Sequence, residues 1–139
     1  MKNNILLDFS KPGLTEFVNH TSLFPGSHAF ARLYADYLYF YGVFIAASEL
    51  PTSGYTFVEI GNAIHALTGG HMLFEPVTPS TSICKDPGGS FSDPIVTFRQ
   101  QVSFCVAEIN GLLPSSGGAV VPVPFNSVIS VSAVLKVRS

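Results

Sequence analysis

Apolar and polar positions alternate along most of the chain with the period of two that marks half-buried strands. Residues 127–137 (SVISVSAVLKV) show it most clearly. Val128, Ser130, Ser132, Val134 and Lys136 share one face, and Ile129, Val131, Ala133, Leu135 and Val137 share the other. Residues 37–46 are filled continuously with aromatic and β-branched side chains, which predicts a strand covered on both faces. Shorter strands are predicted over 5–9, 28–36, 55–60, 71–77, 94–99 and 102–109. Residues 11–26 carry Pro12, Gly13, Pro25 and Gly26 and read as an irregular arm, with a brief helical turn over 14–18. Residues 119–125 include Pro122 and Pro124, which restricts them to an edge strand or an extended crossing.

Turn residues divide these runs. Residues 50–54 (LPTSG) and Thr68-Gly69-Gly70 predict turns, and 79–93 (PSTSICKDPGGSFSD) is the longest loop signal. Asn110-Gly111 is the dipeptide most favoured at a tight hairpin. Residues 57–67 are ambiguous. Phe57, Ile60, Ile64 and Leu67 suit one helical face, but Gly61 and Asn62 interrupt it, and a strand, a turn and a second extended segment is the preferred reading. The sum is eight to ten short strands with no βαβ unit and no long repeat. The expected fold is all-β, an antiparallel β-sandwich of jelly-roll type, with an arm over 1–27 and the sandwich over 28–139.

Charge changes the picture. Charged residues make up 12% of the chain, about half the roughly 25% typical of soluble domains. Seven Lys and Arg against nine Asp and Glu give a net charge of −2, too few cations for a basic patch, so no nucleic-acid partner is expected. So few ionic groups coat a whole domain poorly, which predicts a homo-oligomer that hides part of its surface. A monomer with a surface rich in Ser, Thr and Asn is the competing reading. Neither uncharged run predicts a membrane span. Residues 37–48 are too short, and 109–135 are broken by Gly111, Pro114, Gly117, Gly118, Pro122 and Pro124. Ile5, Leu6 and Leu7 make too short an apolar run for a signal peptide, so synthesis in a cytoplasm, with or without export inside a larger particle, is expected.

Candidate chemistry is sparse. Cys84 and Cys105 are expected as free thiols, Cys105 buried and inert. His65 and His71, with Glu59 as a third group, are the best metal-ligand candidates, but their spacing matches no ligand signature and no metal or other cofactor is expected. His20 and His28 flank the arm. No G-x-S-x-G elbow and no phosphate loop occur, so enzymatic action is not expected. Tyr34, Tyr37, Tyr39 and Tyr41 could stack on sugars, but core or interface positions are the preferred reading. Lys85 and Asp86 at the tip of the long loop, with Asp93 near its end, are the candidate receptor-binding residues, because loops on rigid β scaffolds carry recognition.

Four segments in order, YLYFYGVF at 37–44, GYTFVEIG at 54–61, VAEINGLLP at 106–114 and FNSVISVSAVLKV at 125–137, resemble the C-terminal tip domain of phage tail fibres and receptor-binding proteins. Where such tips carry Leu-Pro and an aromatic, basic, Pro cluster, this chain has AIHALTGGHM at 63–72. The resemblance implies a homotrimeric virion protein that binds a cell-surface glycan or protein without catalysis. A jelly-roll capsid or decoration protein, and a small cupin-like or hydrolase sandwich, are the alternatives. Whether the chain is a whole protein or an excised tip is left open.

Overall fold

A computed structural model describes residues 4–19, 23–24, 27–76, 81–100, 105–114 and 117–138. Among the described residues, nine strands and one helix follow in order: β1 (Ile5–Asp8), β2 (His28–Tyr34), β3 (Tyr37–Ile45), β4 (Tyr55–Glu59), α1 (Ile60–Thr68), β5 (Leu73–Pro76), β6 (Thr81–Lys85), β7 (Phe91–Gln100), β8 (Cys105–Leu113) and β9 (Val128–Arg138). A 3-10 turn, Thr15–Phe17, lies in the arm, where a helical turn was expected. All strand pairs are antiparallel, in the order β1-β2-β3-β9-β6-β7-β8-β4, with β5 also on β9. The fold is thus mostly antiparallel β, as the alternation predicts, in a curled sheet.

The curl has two limbs. The wide limb is β1-β2-β3-β9 with β5 and β6 end to end along the far edge of β9. The narrow limb is β7-β8-β4. β7 joins them, pairing with β6 at Ser92 and Phe91 and with β8 from Asp93 onward. Close to this junction the β7–β8 register slips. Pro94 faces Leu112 and Val96 faces Ile109, so Ile95 alone spans Asn110 and Gly111. That is a β-bulge, which bends a strand and increases its twist.

Inner faces of the limbs meet in one core. The Phe44 ring of β3 stacks on Phe57 of β4, 4.6 Å apart and nearly parallel, and Phe40 meets Phe98 of β7 edge-on at 5.6 Å. Gly42 makes room for this, since a Cβ there would lie 2.6 Å from the Phe44 ring. The arm contributes Leu7, Phe9, Leu14, Val18 and Leu23 to the same core, and Val18 bridges Val58 at the free edge of β4.

Four expectations are corrected. Residues 60–68 form a helix, not a turn and an extended segment. Ile60, Ala63 and Ile64 recur at helical spacing and are buried, and α1 packs on β8 and the 3-10 turn. That burial outweighs the roughly 1 kcal/mol that Gly61 costs relative to Ala. Gly69 ends the helix in the left-handed conformation, its N–H donating to the His65 carbonyl. Asn110-Gly111 is not a hairpin turn but the bulge inside β8. Its positive φ at Gly111 serves a close approach instead, for a Cβ would lie 2.6 Å from Val120 Cγ1 and 2.8 Å from the Val121 carbonyl oxygen. Residues 79–93 are not one loop. Ser82 and Cys84 alternate with Thr81, Ile83 and Lys85, and β6 and β7 enclose a turn of only 86–90. β3 is covered on one face only: Leu38, Phe40, Gly42 and Phe44 point inward, while Tyr37, Tyr39 and Tyr41 point out. The expected crossing over 119–125 is found as isolated bridges, Val121 to Leu112 and Val123 to Leu50. No helix among the described residues is long and apolar enough to cross a membrane.

Candidate binding faces

The outer face of the wide limb follows from strand register. Residues directly opposite on neighbouring strands share a face, so Tyr34 lies beside Tyr37, Arg32 beside Tyr39 and Phe30 beside Tyr41. On the other side of β3, Tyr37 faces Lys136, Tyr39 faces Val134 and Tyr41 faces Ser132. The result is a block of aromatic side chains across β2 and β3, with Arg32 set among them between Phe30 and Tyr34 and Lys136 at its β9 border. Tyr34, Tyr39 and Tyr41 are about half exposed, at 58%, 49% and 48%. The Tyr37 and Tyr39 rings lie 6.5 Å apart, and His28 meets Phe30 edge-on at 5.7 Å. Leu6 on β1 and Ile83 on β6 extend exposed apolar surface to both margins. Arg32 is steadied by a hydrogen bond from its Nη1 to Asn4 Oδ1.

The sequence-predicted binding residues do not form one cluster. Lys85 ends β6 opposite Val128, at the end of the wide limb where β9 begins, and its ammonium lies 5.8 Å from the centre of the Phe91 ring. Asp86 is occupied by its own turn. Its Oδ1 accepts from Ser90 N at 2.9 Å, its N–H donates to the Ser90 carbonyl and its carbonyl accepts from Gly89 N. Asp93 is exposed on β7 opposite Leu113, in a strand and not in a loop.

The His65 and His71 rings stack face to face, 4.0 Å apart and within 3° of parallel. Parallel rings aim their nitrogens side by side and not at a common point. Glu59 stands at the opposite end of α1, roughly 9 Å away along the helix axis, and accepts a hydrogen bond from Asn62. No cluster of three metal-ligating side chains occurs among the described residues. His20 lies outside them. Both cysteines are free and buried. Burial pushes the Cys105 thiol up to about 12. Burial also raises the Cys84 thiol, while the buried Ser127 hydroxyl has no hydrogen-bond partner among the described residues.

Two features were not found by sequence reasoning. An apolar pocket of about 320 Å³ opens between β1 and the end of α1, lined by Leu6, Pro12, Leu14 and Leu67 with Asp8 and Lys11 at hand. Asp8 is held below the ordinary carboxylate range by the Ser10 hydroxyl, 2.6 Å away, and by the Ser10 N–H. An exposed uncharged patch of Leu113, Val120, Val121 and Phe125 lies along the crossing, with Phe125 6.0 Å from Phe24. The only sequence signal for the patch was the charge-free run over 109–135. No protein-family model matches the chain, and neither does any curated protein or solved structure.

Proposed function

We propose that the chain is a non-enzymatic attachment protein of the tail-tip kind, carried on a virion and working as a homotrimer that binds a host-cell surface glycan or protein. One observation carries this reading: the wide limb presents an uncovered aromatic face on a rigid, paired sheet, in a chain with few ionic side chains. Such a face suits contact with macromolecules, because Tyr offers large apolar area with a polar tip and little rotamer entropy to lose. In architecture we take the two limbs as the layers of a jelly-roll sandwich, with β7 passing from one to the other. Receptor contact falls to the β6–β7 hairpin and its strand ends, with Lys85, Asp86 and Asp93. Each site binds weakly and three linked sites raise the avidity.

Purified protein applied to glycan arrays and intact bacterial cells tests this. Binding should weaken steeply when the oligomer is dissociated. Binding that persists unchanged in isolated monomers would refute the avidity. Light scattering supplies the second arm. A discrete trimer supports the reading, whereas open-ended assembly assigns the chain to a capsid or decoration role.

A further inference from the structure

We infer that the outer face of the wide limb is where copies of this chain meet, with Tyr39 and Tyr41 at the centre of the contact. The inference rests on the proposal that the protein self-associates and adds the surface that does it.

Three observations converge on a second copy as the occupant. The first is size. The face is five strands wide at roughly 4.8 Å spacing and nine residues long on β3, so it offers on the order of 700 Å². Standard stable interfaces bury about 800 Å² per partner. The second is chemistry. Exposed Phe30, Tyr34, Tyr37, Tyr39 and Tyr41 sit together, and aromatic residues are enriched at interface centres where charged ones are depleted. Arg32 stands inside the block, between Phe30 and Tyr34 and opposite Tyr39, and Arg is itself among the residues enriched at interfaces; Lys136 borders the block beside Tyr37. The third is shape. The chain exposes 7090 Å², close to the ~7,000 Å² expected for a compact monomer of its mass. The fold therefore closes without an arm borrowed from a neighbour, and assembly uses a ready-made face. Turned toward a common three-fold axis, each face divides its roughly 700 Å² between two neighbours, roughly 350 Å² to each, so the trimer depends on all three contacts closing together.

The experiment is a solution-mass measurement on the full chain and on the double variant Tyr39→Glu with Tyr41→Glu. Both positions are half exposed, so the substituted carboxylates remain in water in the single chain. Wild type should sediment near three times 14.9 kDa. The variant should sediment at one chain mass with an unchanged circular dichroism spectrum, while Thr97→Glu on the narrow limb stays at the wild-type mass. A folded variant that keeps the wild-type mass would overturn this surface and leave the oligomer standing. A monomeric wild type would overturn the self-association proposal itself. A wild-type dimer lost in the variant keeps the face and overturns the trimer. Tyrosine nitration of wild-type protein, read by mass spectrometry, covers the case of a variant that fails to fold. Tyr39 and Tyr41 should be protected in the assembled protein and react on dilution. Equal rates in both states would refute the contact.

Discussion

The two limbs of the sheet treat their outer faces differently. On the narrow limb, Arg99 Nε lies 3.2 Å from Glu108 Oε1 and Asn110 Nδ2 donates to Thr97 Oγ1 at 3.2 Å, so polar side chains on neighbouring strands satisfy one another. On the wide limb, tyrosines stand at the corresponding alternate positions with apolar rings open to solvent. The same antiparallel scaffold thus carries one outer face closed by polar pairs and one that leaves aromatic rings open to solvent. Inward, the limbs are alike, each supplying Phe rings to a shared seam. Their outer faces can therefore be altered separately, while their interiors stand or fall together.

Phe44→Ala should have the largest effect, because it removes the ring that joins the limbs. A loss of about 3–5 kcal/mol in urea unfolding is expected, and retention of wild-type stability would show that the seam is not shared. Gly111→Ala strikes the bulge that bends the narrow limb. A Cβ at positive φ, 2.8 Å from the Val121 carbonyl oxygen, should cost about 2–3 kcal/mol. The crossing over 119–125 should loosen in hydrogen exchange while β2 and β3 stay protected. Equal loosening of both limbs would break the distinction.

Alkali tests the interior next. The folded Cys105 thiol keeps its proton to about pH 12, whereas in the unfolded chain it ionises near its ordinary value of 9.0. Between those values the unfolded state holds fewer protons, so stability should fall as pH rises, by about 1.4 kcal/mol per unit, and be insensitive to this group below 9. Cys84, on the wide limb, shifts in the same direction and adds to the slope. Cys105→Ala should flatten the slope measured by urea titration at pH 8 to 10.5; an undiminished slope would contradict the burial. The smallest effect belongs to Arg99→Ala. Its ion pair is half exposed at the arginine, so a loss of about 0.2–1 kcal/mol and no change in assembly are expected from paired unfolding and sedimentation runs.

Where local pattern and burial agree, the sequence was readable. β9 alternates without exception, and its two faces match the structure residue for residue. The extended crossing and the antiparallel class were legible from the same kind of local signal. β3 was readable as a strand but not in its exposure. Phe and Tyr both count as apolar, so alternation between them disappears, and only the phenolic oxygens separate Tyr39 and Tyr41 from Phe40 and Phe44. Asn110-Gly111 shows another limit. The dipeptide announces a positive φ, which a hairpin turn and a bulge satisfy equally, and the deciding neighbour, Val121, is distant along the chain. α1 was misjudged because Gly61 weakens a helix locally, while the burial that rescues it comes from β8. The candidate site was the least legible part. Lys85, Asp86 and Asp93 were chosen from a loop that folds into a hairpin, and the aromatic face exists only once β2 and β3 are in register.

β9 lies between β3 on one side and β5 with β6 on the other, and it follows all three in the chain. During synthesis its neighbours emerge first and wait with unpaired edges. The nascent chain must therefore keep two open strand borders from pairing with other chains until the final segment slides between them. Slow, late-closing folding is the consequence of a sheet whose central strand follows its neighbours in the chain.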